Sequence, residues 1–214
     1  MNNPDDIVNL FASPVYIFYK PEFLNSVKSV SERYLKDLKK ENDLNKVYPL
    51  YQTENMINEE SISDFVNFIK NVAENILFNQ GYNINNLRPE ILELWCQEHF
   101  RGSGHERHIH GNGSYITGFY ITKIPKNSTK FLFHDPRPAK EFSNLPESNA
   151  DNVTNASQSV FFKPQEGTFL FTNSWLPHTI ARNESRESVR IIHFNVGLSY
   201  FNNPEKSNSS VVVV

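Results

Sequence analysis

The stretch "GSGHERHIHGNGSYITGFYITKI", residues 102–124, decides the fold. Its second half is a run of β-branched and aromatic residues that reads as a strand. Its first half, residues 102–115, concentrates three of the chain's seven histidines and four of its eight glycines. Imidazole is the commonest protein ligand for a transition metal, and glycine lets a backbone turn tightly or approach a ligand closely. A strand carrying histidines at its mouth is therefore the unit to extend.

Downstream, short segments of the same character recur: "TKFLFHD", "SVFFK", "GTFLFTN" and "SVRIIHFNVGLSYF", with "ILELWCQEHF" just upstream. Clusters of Gly, Pro, Asn and Ser separate them. Many short strands without intervening helices indicate a double-sheet barrel or jelly roll. Residues 10–20, "LFASPVYIFYK", predict an early strand, with Pro14 placing it at an edge or a strand start. Two helical stripes follow: Phe23, Val27, Val30, Tyr34 and Leu38, then Ile62, Phe65, Ile69, Val72 and Ile76. Ser61 is placed to cap the second, and Gly81 to end it. The expected fold is mainly β with flanking helices, a double-stranded β-helix with an N-terminal helical layer. Residues 139–159, a polar stretch, suit either a lid or disorder, and residues 202–214 a flexible tail.

The chain has 214 residues and a net charge of −3, which gives no general electrostatic footprint for nucleic acid. No stretch approaches the roughly 20 apolar residues of a membrane span. Cys96 is the single cysteine, so no internal disulfide forms, and the start lacks the pattern of a signal peptide. The expectation is a soluble cytoplasmic protein.

In a strand, residues i and i+2 share a face, so His108 and His110 are predicted to aim two imidazoles in one direction. Gly111 and Gly113 would turn the chain beyond them. "NSWLPHTIARN" offers His178 as a third ligand from a strand that a closed barrel can bring alongside. Arg190 opens "RIIHFNVG", where it is either a guanidinium beside the metal, suited to a carboxylate, or a partly exposed residue at a strand start. His105 is a weaker candidate as a fourth ligand. His99 reads as the polar end of a strand, His134 and His193 as packed or hydrogen-bonded, and Asp135, before Pro136, as a strand end or turn, although its carboxylate is an alternative ligand. Trp175 reads either as a pocket wall or as buried core.

Taken in order, "HIHGNGSYITGFYI", "FLFHDPR", "KPQEGTFLFTNSWLPH" and "RIIHFN" resemble the iron(II)/2-oxoglutarate-dependent oxygenases, specifically the branch related to prolyl 4-hydroxylases. The resemblance covers roughly residues 92–200. It implies one oxygenase-like domain over residues 1–201, with the N-terminal strand and helices at 10–82 and the jelly-roll core at 91–201. It implies His108 and His178 as the first and last ligands of Fe(II), and Arg190 as the residue holding the distal carboxylate of 2-oxoglutarate. Tyr120 is implied to line the cosubstrate pocket, a structural aromatic being the alternative. The wider superfamily carries H-x-D/E, so His110 stands where a carboxylate is expected, and three imidazoles with a water also describe catalytic zinc.

The activity implied is that of a dioxygenase. It would couple O2 and 2-oxoglutarate, with ascorbate as an accessory reductant, to hydroxylation of a peptidyl residue or small molecule. Two other readings stay open: a cupin-like metalloenzyme that does not use 2-oxoglutarate, and a non-enzymatic jelly-roll binding module.

Overall fold

A computed structural model describes residues 6, 10–142, 145–149 and 151–201. Among them are ten strands in two antiparallel sheets and two long helices. The strands are β1 (Val15–Tyr19), β2 (Leu50–Gln52), β3 (Leu87–His99), β4 (His105–His108), β5 (Ile116–Lys123), β6 (Phe131–His134), β7 (Ser159–Phe162), β8 (Thr168–Asn173), β9 (His178–Ile180) and β10 (Val189–Tyr200). The larger sheet runs β1-β8-β5-β10-β3-β2 and the smaller β4-β9-β6-β7. From β3 onward successive strands alternate between the two sheets, except that β6 and β7 both lie in the smaller one, the interleaving of a jelly roll.

The helices are α1 (Leu24–Glu41) and α2 (Ser63–Asn79), as the apolar stripes predict. Gly81, with φ +90°, follows the end of α2, and its N–H donates to the Phe78 carbonyl at 2.9 Å. Ser61 does not cap this helix. It lies in a short 3-10 turn, Glu60–Ile62, and no side-chain hydrogen bond caps α2. Pro14 directly precedes β1, which lies at a sheet edge where proline's missing N–H costs no ladder bond. The tail from residue 202 lies outside the described residues.

The larger sheet is buried on both faces, and strand alternation sorts its side chains into two cores. Cys96, Tyr120, Phe169, Phe171, Ile192 and Phe194 pack toward the helices, against Phe65 and Ile69. Phe119, Ile121, Leu170, Val189 and Ile191 point the other way, toward Phe131, Phe133 and Ile180 of the smaller sheet. At 20–33 cal/mol per Å², burial of these aromatic and aliphatic groups is the main stabilising term. The β5–β8 pairing requires Gly118: a Cβ there would sit 2.4 Å from the Leu170 carbonyl oxygen and equally close to the Phe194 ring.

Candidate metal centre

The three histidines meet at the mouth of the barrel. His178 opens β9 and pairs in register with His108, the last residue of β4. His110 lies just beyond β4, so simple strand alternation does not carry it. Its N–H instead donates to the Ser174 carbonyl at 2.9 Å, which pins the segment against the β8–β9 connection. Asn112 and Gly113, at φ 53° and 81°, make the turn into β5. Gly111 has ordinary φ and open space around it.

One ligand atom from each of His108, His110 and His178 lies within 4.8 Å of the others. His110 Nε2 and His178 Nε2 are 3.2 Å apart. Two imidazoles binding one ion at about 2.0–2.1 Å would bring their nitrogens to about 3.0–3.4 Å, so this spacing fits a shared metal. The tautomers fit as well. His178 Nδ1 donates to the Leu176 carbonyl at 2.9 Å and His108 Nδ1 to the Glu106 carbonyl at 2.7 Å, leaving each Nε2 lone pair free. Burial depresses the pKa of His110 to about 4 and that of His178 to about 3, so both rings are neutral near pH 7.

A fourth imidazole touches the cluster. His193 is 3 % exposed, with its Nε2 3.3 Å from His110 Nε2 and 3.3 Å from Thr117 Oγ1. Its ring stacks on Trp95 at 4.9 Å. Two residues along β10, the Asn195 amide bridges Glu93 and His110. The sequence reading missed His193, Asn195, Glu93 and Trp95 as site residues. The available signal was the two-residue spacing of His193 and Asn195, which puts both on one face.

The same alternation corrects two assignments. Arg190 is three residues from His193, so it lies on the opposite, helix-facing side of β10. There its Nε donates to Glu98 Oε1 at 2.8 Å and its Nη1 to Glu32 Oε1 of α1 at 2.9 Å. Lys39, also on α1, reaches Glu98 Oε2 at 2.5 Å. Arg190 therefore clamps a helix to the sheet. Tyr120 is fully buried on that same face, with its hydroxyl donating to the Lys20 carbonyl at 2.8 Å and its ring 4.3 Å from that of Phe169. It is the structural aromatic, not a pocket wall.

The other candidates also fall outside the cluster. His105 stacks on His108 at 4.1 Å and pairs with Ile180. His99 is buried against Ser103 Oγ at 2.9 Å, and His134 bonds Ser159 and Thr179 on the smaller sheet. Asp135 is held by Arg137, with contacts of 2.9 and 2.6 Å, and its carboxyl pKa is lowered to about 2. Trp175 is 44 % exposed and so is not core.

Beside the cluster lies a cavity of about 450 Å³. Phe133 and Leu176 form part of its wall, and both also adjoin His178. Residues 153–155 and 157–159, from the long polar stretch, also line it. Among the described residues, five buried polar atoms on the inward face of β3 and β10 have no hydrogen-bond partner: Trp95 Nε1, Gln97 Oε1, His99 Nε2, His193 Nδ1 and Asn195 Oδ1.

A family model described as "Putative 2OG-Fe(II) oxygenase" matches residues 93–195, the span from Glu93 to Asn195 that contains every histidine of the cluster. Comparison with curated protein sequences gave no match. Among solved structures, an oxidoreductase of the 2OG-Fe(II) oxygenase family from Burkholderia pseudomallei superposes with TM-score 0.56 at 10% identity, covering 86% of this chain and 84% of that one. A prolyl hydroxylase from Trichoplax adhaerens, in complex with a hypoxia inducible factor peptide fragment, gives 0.54 at 14%, covering 92% and 87%. The alpha-ketoglutarate-dependent epimerase SnoN of nogalamycin biosynthesis gives 0.60 at 10%, covering 88% and 81%. At such identities these likenesses speak for the jelly-roll fold alone. No helix among the described residues is long and apolar enough to cross a membrane. Over residues 93–195, just under half of its length, the chain matches the family of putative 2OG-Fe(II) oxygenases.

Proposed function

We propose that the protein is a hydroxylase of a peptidyl residue or small molecule, with iron held by His108, His110 and His178. The observation that carries this reading is the convergence of three imidazoles within 4.8 Å, two of them with Nε2 lone pairs freed by backbone acceptors. Iron(II) with 2-oxoglutarate supplies oxidising power toward an unactivated C–H bond. The chain's own part is to orient the ligands, receive the cosubstrate and keep water away.

His178, 1 % exposed, anchors the site from inside, while the two partly exposed histidines of the β4–β5 segment close over it. The unpartnered polar atoms of Trp95, Gln97 and His193 support a cosubstrate lodged along β3 and β10. An indole N–H is a donor for a carboxylate, while Gln97 Nε2 already donates to Gln52 Oε1 at 2.9 Å. The cosubstrate's far carboxylate would then be met by neutral donors, since the Arg190 guanidinium is engaged across the sheet.

The neighbouring cavity, walled by Phe133, Leu176 and residues 153–155 and 157–159, is the expected seat of the primary substrate. The polar stretch would serve as its rim. A peptidyl target is suggested by the prolyl hydroxylases among the structural neighbours, and a small molecule by the epimerase.

The test is turnover of 2-oxoglutarate to succinate under oxygen with iron(II) supplied, across peptide and small-molecule candidates. Substrate-stimulated succinate that disappears in His178→Ala supports the reading. Failure to form succinate with iron bound would overturn it.

A further inference from the structure

We propose that the primary substrate is a small molecule with an apolar body and a carboxylate end, and that Arg137 is the residue that selects it. The inference rests on the reading of the cavity beside the histidine cluster as the seat of the primary substrate.

Strand β6 grades the cavity from apolar to charged. Buried Phe133 pairs in register with His178, and the two rings lie 6.2 Å apart. Phe162 meets Phe133 edge-on at 5.6 Å, and buried Leu176 completes the apolar end. Asp135 continues the β6–β7 ladder, its N–H donating to the Gln158 carbonyl at 2.9 Å. By alternation it shares the face of Phe133, about 7 Å further along the chain. Asp135 and Arg137 both line the cavity. A C–H bond held near the cluster by apolar contacts would then lie a few bonds away from a charged group.

The charge on offer is positive. Asp135 Oδ1 accepts the Arg137 backbone N–H at 3.0 Å and its Nε–H at 2.9 Å, while Oδ2 accepts Nη2 at 2.6 Å. The Asp135 carboxylate thereby sets the plane of the guanidinium. Lys140 Nζ, 3.7 Å from Asp135 Oδ2, brings a second cation to the same carboxylate. It also staples the cavity wall, donating to the Asn155 and Ser157 carbonyls at 2.8 and 3.4 Å. Glu147 reaches Ser157 Oγ at 3.0 Å but is not among the described residues that line the cavity. One carboxylate thus answers two cations. The Nη1 edge of Arg137 faces away from Asp135, and its paired N–H groups suit a carboxylate. With its side chain 59 % exposed, Arg137 presents that edge at the rim. A cavity of about 450 Å³ is in the range that encloses a small molecule, which favours a small acid over a peptide chain.

Calorimetric titration of the full, metal-free chain tests this, with octanoate and octanol as a pair that differs only in the charged end. Octanoate is expected to bind about fivefold tighter or more, with a preference that shrinks as salt is raised. Arg137→Gln should abolish the preference and leave octanol affinity unchanged. Its side chain is exposed, so the melting temperature should hold. Equal binding of the two probes, or a preference that survives Arg137→Gln, would overturn the inference. Displacement of octanoate by 2-oxoglutarate would give Arg137 to the cosubstrate and overturn it too. A preference shown only by a short peptide with a free C-terminus over the same peptide amidated would replace the small acid with a peptide end. Neither metal nor turnover enters these titrations, so their outcome is separate from succinate formation, on which the hydroxylase reading turns.

Discussion

Arg190 Nε bonds Glu98 Oε1 at 2.8 Å on the helix side of the larger sheet, while His193, three residues on, faces the histidine cluster through the opposite side. One strand thus fastens α1 with one set of side chains and floors the histidine cluster with the other. Arg190→Ala is accordingly expected to cost stability, not cosubstrate affinity. Removing one partner of a buried pair leaves a charge uncompensated, worth about 3–5 kcal/mol. Lys39 still reaches Glu98, which favours the lower end. Chemical denaturation and 2-oxoglutarate titration of the folded fraction measure the two effects. Weakened binding with unchanged stability would contradict the placement.

Tyr120→Phe provides an independent check on the same sheet. It removes one hydrogen bond to the Lys20 carbonyl, worth about 1 kcal/mol. 2-Oxoglutarate affinity should be untouched. A clear rise in its dissociation constant would return Tyr120 to the pocket.

These two positions show where sequence reading stopped. Jelly-roll strands, helix stripes and the edge position of β1 were legible because each element's pattern matched its local chemistry. The convergence of His108, His110 and His178 was legible because histidine is scarce and two of them lie two residues apart. The face of β5 and β10 was not legible. Both strands are buried on both sides, so the polar–apolar alternation that marks an outward face is missing. Only the register shows that 191, 193 and 195 point inward while 190 points at α1. His193 was passed over for the same reason, since an imidazole in an apolar run looks like packing.

Acid should unfold the metal-free protein earlier than its carboxylates alone would require. Burial pushes His99 down to about 4 and His178 to about 3, and holds His193 well below its ordinary value. In the unfolded chain these groups titrate near about 6.5. Between about pH 6.5 and 4 the unfolded state therefore binds more protons, and stability falls as pH drops. Above that window these groups contribute no slope. The urea midpoint at pH 5 is expected to lie clearly below that at pH 7.5. Equal midpoints would mean that the imidazoles are not buried as described.

Gly118→Ala should be poorly tolerated although alanine is small. The new methyl would meet the Leu170 carbonyl oxygen of β8 and the Phe194 ring at 2.4 Å. Overpacking of this kind costs about 1–3 kcal/mol, read as a lowered melting temperature. An unchanged melting temperature would show that β5 and β8 lie further apart.

The centre itself is tested most directly by anaerobic titration of the unmodified protein with iron(II) and then 2-oxoglutarate, followed by visible absorption. One iron per chain, with a charge-transfer band that grows on adding 2-oxoglutarate and is absent in His178→Ala, is the expected result. Iron bound equally well by His178→Ala, or no band at saturating iron and 2-oxoglutarate, would contradict the placement of metal and cosubstrate at this cluster.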